Sequence, residues 1–111
     1  MIRVDAMWLS VEPIDMRAGS ASVIARVVQV FGSARPHHAY LFANRRGTRV
    51  KVLVHDGIGV WLAARRLNKG RFVWPKEGVH AQCAIHTEQF AALIVGLPWQ
   101  SVGEAGAITL L

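Results

Sequence analysis

The sequence predicts an α+β fold: a single domain built on a mainly antiparallel, curved sheet of about five strands with two packed helices. Three observations carry that expectation. Between Tyr40 and Pro75 short apolar segments run between the charged residues and end in turn residues, with a period of two in Arg49 to His55, as in hairpin-linked strands. On either side lies one segment with apolar residues at helical spacing, Ile24-Val27-Val28-Phe31 and Phe90-Leu93-Ile94-Leu97. Finally, 111 residues with an apolar fraction of 52% are the ordinary size and composition for one core.

Val4 to Leu9 reads as an opening strand, and Val11 to Gly19 as a loop broken by Pro13 and Gly19. Ser20 is expected to cap the first helix, which Gly32 ends; Ser33 to His38, with Pro36, is a linker. Ala39 to Ala43 is the next strand, and Asn44-Arg45-Arg46-Gly47 supplies a turn. In the strand Arg49 to His55, Val50, Val52 and Val54 point one way while Arg49, Lys51, Leu53 and His55 point the other. Asp56-Gly57-Ile58-Gly59 is a hairpin signal, because glycine accepts the positive φ such turns demand. Val60 to Leu67 returns, and Arg71 to Trp74 is a last strand that Pro75 stops. Thr87 is expected to cap the second helix, with Glu88 near its positive end and Pro98 closing it. Residues 1–99 make the domain, and residues 100–111, small and polar around Gly103 and Gly106, a loosely ordered tail. Neither face of the central strands is wholly polar, so helices cover the sheet or it meets a second subunit.

The chain carries a formal charge of +6, and its pI is near 10.8. Nine of its 13 basic residues (Arg45, Arg46, Arg49, Lys51, Arg65, Arg66, Lys69, Arg71 and Lys76) fall between Tyr40 and Lys76, against one acid, Asp56. Such an imbalance favours a polyanionic partner, and Arg and Lys on phosphates release condensed counterions, the main source of backbone affinity for DNA. The candidate nucleic-acid-binding set is Arg45, Arg46, Arg49, Lys51, Arg65, Arg66, Lys69 and Arg71. Tyr40, Trp61, Phe72 and Trp74 could stack on bases, but large aromatic side chains ordinarily fill cores. No helix-turn-helix, zinc-finger or ribonucleoprotein signature is visible.

His80, Cys83 and His86, joined by His37 and His38, lack the paired spacing of a zinc site, so no metal and no cofactor is expected. The single Cys83 excludes an internal disulfide and fits a reducing compartment. No signal peptide and no apolar run of membrane-spanning length is present, which makes a cytoplasmic location the expectation and a membrane partner not. The seven acids are scattered, and Asp5, Asp15 and Asp56 are the set to watch if any converge on a metal. Nucleophile-elbow and Walker patterns are missing, and Gly57-Ile58-Gly59 lacks the third glycine of a dinucleotide site.

Asp15-Met16-Arg17-x-Gly19, the Arg45-Arg46 turn, Arg49-Val50-Lys51-Val52-Leu53, Asp56-Gly57-x-Gly59, Arg66-Leu67-x-Lys69-Gly70-Arg71-Phe72-x-Trp74-Pro75 and Gly96-Leu97-Pro98-Trp99 form a distinctive series. Together they resemble the small accessory protein, often called TnpB, of the sixty-six family of bacterial insertion sequences, which is not the RNA-guided nuclease sharing that label. The resemblance runs from about Met1 to Trp99, and the block ending in Trp74-Pro75 is its most specific part. It departs at His55, where an aromatic residue usually precedes the turn, at Arg65, where lysine is common nearby, and in the tail from Ala105 to Leu111. The resemblance implies a non-catalytic helper of DNA transposition, encoded beside a larger transposase that carries the acidic active site. The expected partners are therefore DNA and the transposase of the same element, and a homo-oligomer is compatible with the chain. A second reading is a protein-interaction module that docks on the transposase through apolar strand faces and Trp61 or Trp74. A small nuclease ranks third.

Overall fold

A computed structural model of the chain describes residues 3–76 and 82–101. Five strands and two helices follow one another as β1 (Ala6–Ser10), α1 (Ser20–Phe31), β2 (His38–Ala43), β3 (Arg49–His55), β4 (Val60–Arg66), β5 (Gln82–Ile85) and α2 (Thr87–Leu93). They build one mixed sheet in the order β4-β3-β2-β1-β5. Only β1 and β2 run parallel, joined through α1; β2-β3-β4 is an antiparallel meander and β5 returns antiparallel to β1. The α+β class, the strand number and the antiparallel majority agree with the sequence pattern.

The centre of the sheet is β2, whose Ala39 to Ala43 are all buried. Tyr40 and Phe42 pack with Leu53 under Val23 and Val27 of α1. Leu41 and Ala39 face the other way, onto Leu9, Ile85, Ala92, Leu93 and Trp99. Helices thus lie on both faces, so the strand reads as a continuous apolar run rather than an alternating one. Tyr40 keeps its hydroxyl satisfied at the helix exit, accepting from the Arg35 N–H at 2.9 Å and donating to the Ser33 carbonyl.

Several expectations shift in detail. The first helix begins at Ser20 itself; Gly19 occupies the N-cap with no side-chain cap. Its pressed stripe is Val23 and Val27 flanked by Ile24 and Phe31, while Val28 is 48% exposed. Both stripes have helical spacing, and the azimuth over the sheet decides between them. In α2 the N-cap is His86, whose side chain accepts from the Gln89 backbone while the Gln89 side chain accepts from the His86 N–H; Thr87 is the first helical residue. The helix stops at Leu93 rather than at Pro98, and Leu97 is exposed. Gly96 (φ +80°) forms the turn, where a side chain would press the Arg71 carbonyl and Leu67.

Arg71 to Trp74 is not a strand. The chain leaves the sheet at edge strand β4 and must rejoin it at the opposite edge, β5, so the connection crosses over the strands instead of pairing with them. Phe72 is buried on Ala43 and Val50, its N–H bound to the Gly47 carbonyl at 2.7 Å. Half-buried Trp74 reaches β1, donating its indole N–H to the Ser10 carbonyl at 2.8 Å, and the Trp99 indole donates to the Val73 carbonyl. Both Phe72 and Trp74 thereby act as core residues. The fifth strand is Gln82–Ile85, whose four residues are too few to show a period in the sequence. Trp99 is buried and opens a short 3₁₀ turn through Ser101; the rest of the expected tail, 102–111, and His80 lie outside the described residues.

Phe72→Ala should cost about 3–5 kcal/mol of folding stability, the usual range for large aromatic truncations in a core. Equilibrium urea unfolding of the variant against wild type measures it, and a loss under about 1 kcal/mol would mean that the crossing segment does not anchor the sheet.

Candidate nucleic-acid interface

The cations gather where β2 turns into β3 and where β4 ends. Asn44 organises the first place: its side-chain oxygen accepts the N–H groups of Thr48 (2.9 Å) and Arg49 (3.0 Å), and its amide donates to the Thr48 hydroxyl. The Gly47 N–H closes the turn on the Asn44 carbonyl at 3.1 Å, with Gly47 at φ +72°. A side chain at residue 47 would also meet the Phe72 carbonyl at 3.4 Å, so glycine serves the turn and the crossing segment together. This fold-back leaves Arg45 and Arg46 exposed at the tip of a rigid turn. Asn44 matters because it holds those two arginines in place, a role that turn propensity alone does not reveal.

Cross-strand pairing brings in the next cations. Arg49 of β3 lies opposite Arg66 of β4, with the Leu67 N–H on the Thr48 carbonyl continuing the ladder. Like charges directly opposite each other destabilise a sheet, and here neither arginine has an acid within ion-pair distance among the described residues. Arg45, Arg46, Arg49 and Arg66 line one open cleft of about 550 Å³, floored by Asn44, Thr48, Leu67 and Asn68 and walled by Ile14, Asp15 and Met16. Asp15 brings a carboxylate to this wall, but Arg17 holds it at 2.7 Å and keeps its pKa near 2, below the ordinary 3.8. Its charge is therefore balanced locally.

The eight predicted residues do not all stand alike. Lys51 donates its ammonium to the Ala18 carbonyl at 2.6 Å, tying β3 to the loop before α1. Arg65 points to the opposite face of the sheet and donates its Nε to the Ile94 carbonyl at 2.7 Å, satisfying the end of α2. Both have structural partners. Lys69 and Arg71 are exposed on the segment after β4, beside the cleft rather than in it. Lys76, outside the eight, lines a neighbouring groove with Arg45, Arg46, Trp74 and Pro75.

Of the aromatics, Tyr40 and Phe72 are buried, and Trp61 is 55% exposed. Trp61 belongs to an edge strand and is fastened by its indole N–H to Asp56 at 2.8 Å. Asp56 also accepts the N–H groups of Gly59 (2.7 Å) and Ile58 (2.9 Å). Gly59, Ile58 and Trp61, in that order of effect, hold its pKa at about 2, below the ordinary 3.8.

A profile described as IS66 Orf2-like protein matches residues 5–104. The chain belongs to the IS66 Orf2-like family. It is similar to the uncharacterized protein y4hO of Sinorhizobium fredii (strain NGR234), 35% identical over 85% of this chain and 82% of that one. It is similar also to the uncharacterized protein y4jC of the same strain, 30% identical over 86% of this chain and 82% of the relative. No solved structure matches. Family membership makes this an accessory protein of insertion elements. The family match passes the expected boundary at Trp99, into the segment read as tail.

Among the described residues no three His, Cys, Asp or Glu side chains converge on one point. Asp5 pairs with Arg3, Asp15 with Arg17, and Asp56 with its own turn. Among the described residues no helix is long and apolar enough to cross a membrane.

Because the folded-state pKa of Asp56 is depressed, its contribution to stability is full above the unfolded value, near 3.8, and disappears as the pH falls through about 2. The melting-temperature gap between wild type and Asp56→Ala should therefore be open at neutral pH and narrow from pH 4 to pH 2, as read by thermal unfolding at each pH. A gap that stays constant over that range would remove the ionised carboxylate from the account of this hairpin.

Proposed function

We propose that this IS66 Orf2-like chain is a non-catalytic accessory factor in DNA transposition that binds the DNA backbone through the cationic end of its sheet. The observation that carries the reading is the convergence of Arg45, Arg46, Arg49 and Arg66 on one open cleft, with none of them in an ion pair among the described residues. Placing two arginines across one strand pair is unfavourable within the monomer and becomes favourable when phosphate oxygens lie between them. Lys69, Arg71 and Lys76 extend the positive surface beside the cleft. Lys51 and Arg65 support it from within, since each already has a backbone carbonyl. Base edges are not read: among the described residues no helix projects from the sheet for insertion in a groove, and backbone charge supplies the affinity. Chemistry on DNA is left to the transposase, because the acids among the described residues are dispersed and each is engaged locally.

The exposed Trp61 and Ile58, the latter 99% exposed, favour a second reading, in which the chain docks on the transposase without touching DNA. The two readings separate in a salt series. With about five phosphates neutralised, log affinity for duplex DNA should fall against log salt with a slope near −4 to −5. Arg46→Ala with Arg49→Ala and Arg66→Ala should flatten that slope and weaken binding to all sequences alike. Lys51→Ala and Arg65→Ala should instead lower the melting temperature with little change in slope. No binding at low salt by fluorescence anisotropy would sink the DNA contact and leave docking as the function.

The non-catalytic part has its own assay. Supercoiled plasmid incubated with purified protein and Mg²⁺ or Mn²⁺ should stay intact. Nicking by wild type that is lost in Asp56→Asn would overturn the accessory reading.

A further inference from the structure

The outer edge of β4 has the features of a strand awaiting a partner. Its seven residues pair with β3 in a regular register without a bulge, and among the described residues nothing pairs with its other side. Natural edge strands are blunted by charge, proline, bulges or brevity. The first five residues here, Val60 to Ala64, carry none of these devices, and Trp61 and Val60 are exposed.

The ladder shows which backbone groups are available. Asp56 N–H bonds to the Gly59 carbonyl at one end, and Leu67 N–H to the Thr48 carbonyl at the other. Hydrogen-bonded pairs alternate in an antiparallel ladder, so Trp61, Ala63 and Arg65 direct their backbone groups to β3. Val60, Leu62, Ala64 and Arg66 direct theirs outward.

We propose that the occupant of this edge is β4 of a second copy of the chain, paired antiparallel about a two-fold axis at Ala63. That register is consistent with the ladder: Leu62 exchanges both hydrogen bonds with Ala64 of the second copy, and Val60 with Arg66. It also resolves the charges. Arg65 falls opposite Trp61 and Arg66 opposite Val60, so no cation meets a cation, and Trp61 offers its ring to a guanidinium. A parallel arrangement in register would set Arg65 and Arg66 beside their own copies. Small Ala63 sits on the axis, where non-hydrogen-bonded partners approach to about 4.5 Å between Cα atoms. The product is a continuous ten-stranded sheet with a cationic cleft near each end of the joined strands, set about 20 Å apart by the six-residue offset of Arg66. The pairing is independent of DNA binding.

The test is sedimentation of the full chain without DNA, with four variants made in a Cys83→Ser background. Wild type should sediment at twice the chain mass. Ala64→Pro removes only an outward N–H and is tolerated where a strand edge faces away from its ladder; Ala63→Lys sets two cations on the axis. Both should sediment as single chains with unchanged circular dichroism. Ala63→Cys should cross-link to a disulfide dimer under mild oxidation, since the axial spacing falls within disulfide range. Val60→Cys, which faces Arg66 rather than itself, should not. A monomeric wild type would overturn the proposal and give the edge to another occupant such as the transposase. A dimer that persists in folded Ala64→Pro and Ala63→Lys would place the interface elsewhere. Should either variant fail to fold, the Ala63→Cys result decides: failure to cross-link overturns the pairing.

Discussion

Everything in this fold depends on burying β2 from both sides. Tyr40 and Phe42 require cover on one face and Leu41 and Ala43 on the other, and no single helix can provide both. The β1–α1–β2 unit supplies the first cover by crossing over as it returns parallel. The second cover must come from residues after β4, so the chain crosses the sheet through Phe72 and Trp74 before β5 and α2 complete that side. Two-sided burial at the centre thus dictates the long crossing connection.

The same requirement explains where the cations lie. With both faces of β2 and β1 occupied, charge is excluded from the middle of the sheet and driven to its perimeter: the β2–β3 turn, the end of β4 and the crossing segment. Burying an unpaired charge is costly enough that a basic chain of this size has few other places for it. The perimeter is not uniform, however. Lys51 and Arg65 lie close enough to Ala18 and Ile94 to bind their carbonyls, on opposite faces of the sheet. The cleft arginines Arg45, Arg46, Arg49 and Arg66 extend past the last covered layer, where neither α1 nor α2 offers an acceptor.

Edge strand β4 is the other outcome. Two helices of 12 and 7 residues cover the centre of a five-stranded sheet and leave its β4 margin bare. Its exposure follows from the sheet order, and the alternation of backbone direction along it limits how a partner strand can pair.

Much of the fold was legible in the sequence because it is written in local periodicity. The ends of β3 agree with the reading to the residue, since valines fall at every second position between two turn signals. The basic cluster was equally plain, being a matter of composition. The mismatches share a cause. Arg71 to Trp74 has the residue pattern of a strand, and only the distance between the two sheet edges makes it a crossing segment. Gln82 to Ile85 has no strand pattern and becomes one because β1 has an unfilled edge. Trp61 has a core residue's composition and lies exposed because it falls on the outermost strand. Sequence by itself determined the class, the turns and the sign of the charge, which are properties of neighbours along the chain. Only the tertiary structure decided which arginines converge, which are held by carbonyls and which edge stays unpaired, because those depend on the order of strands in space.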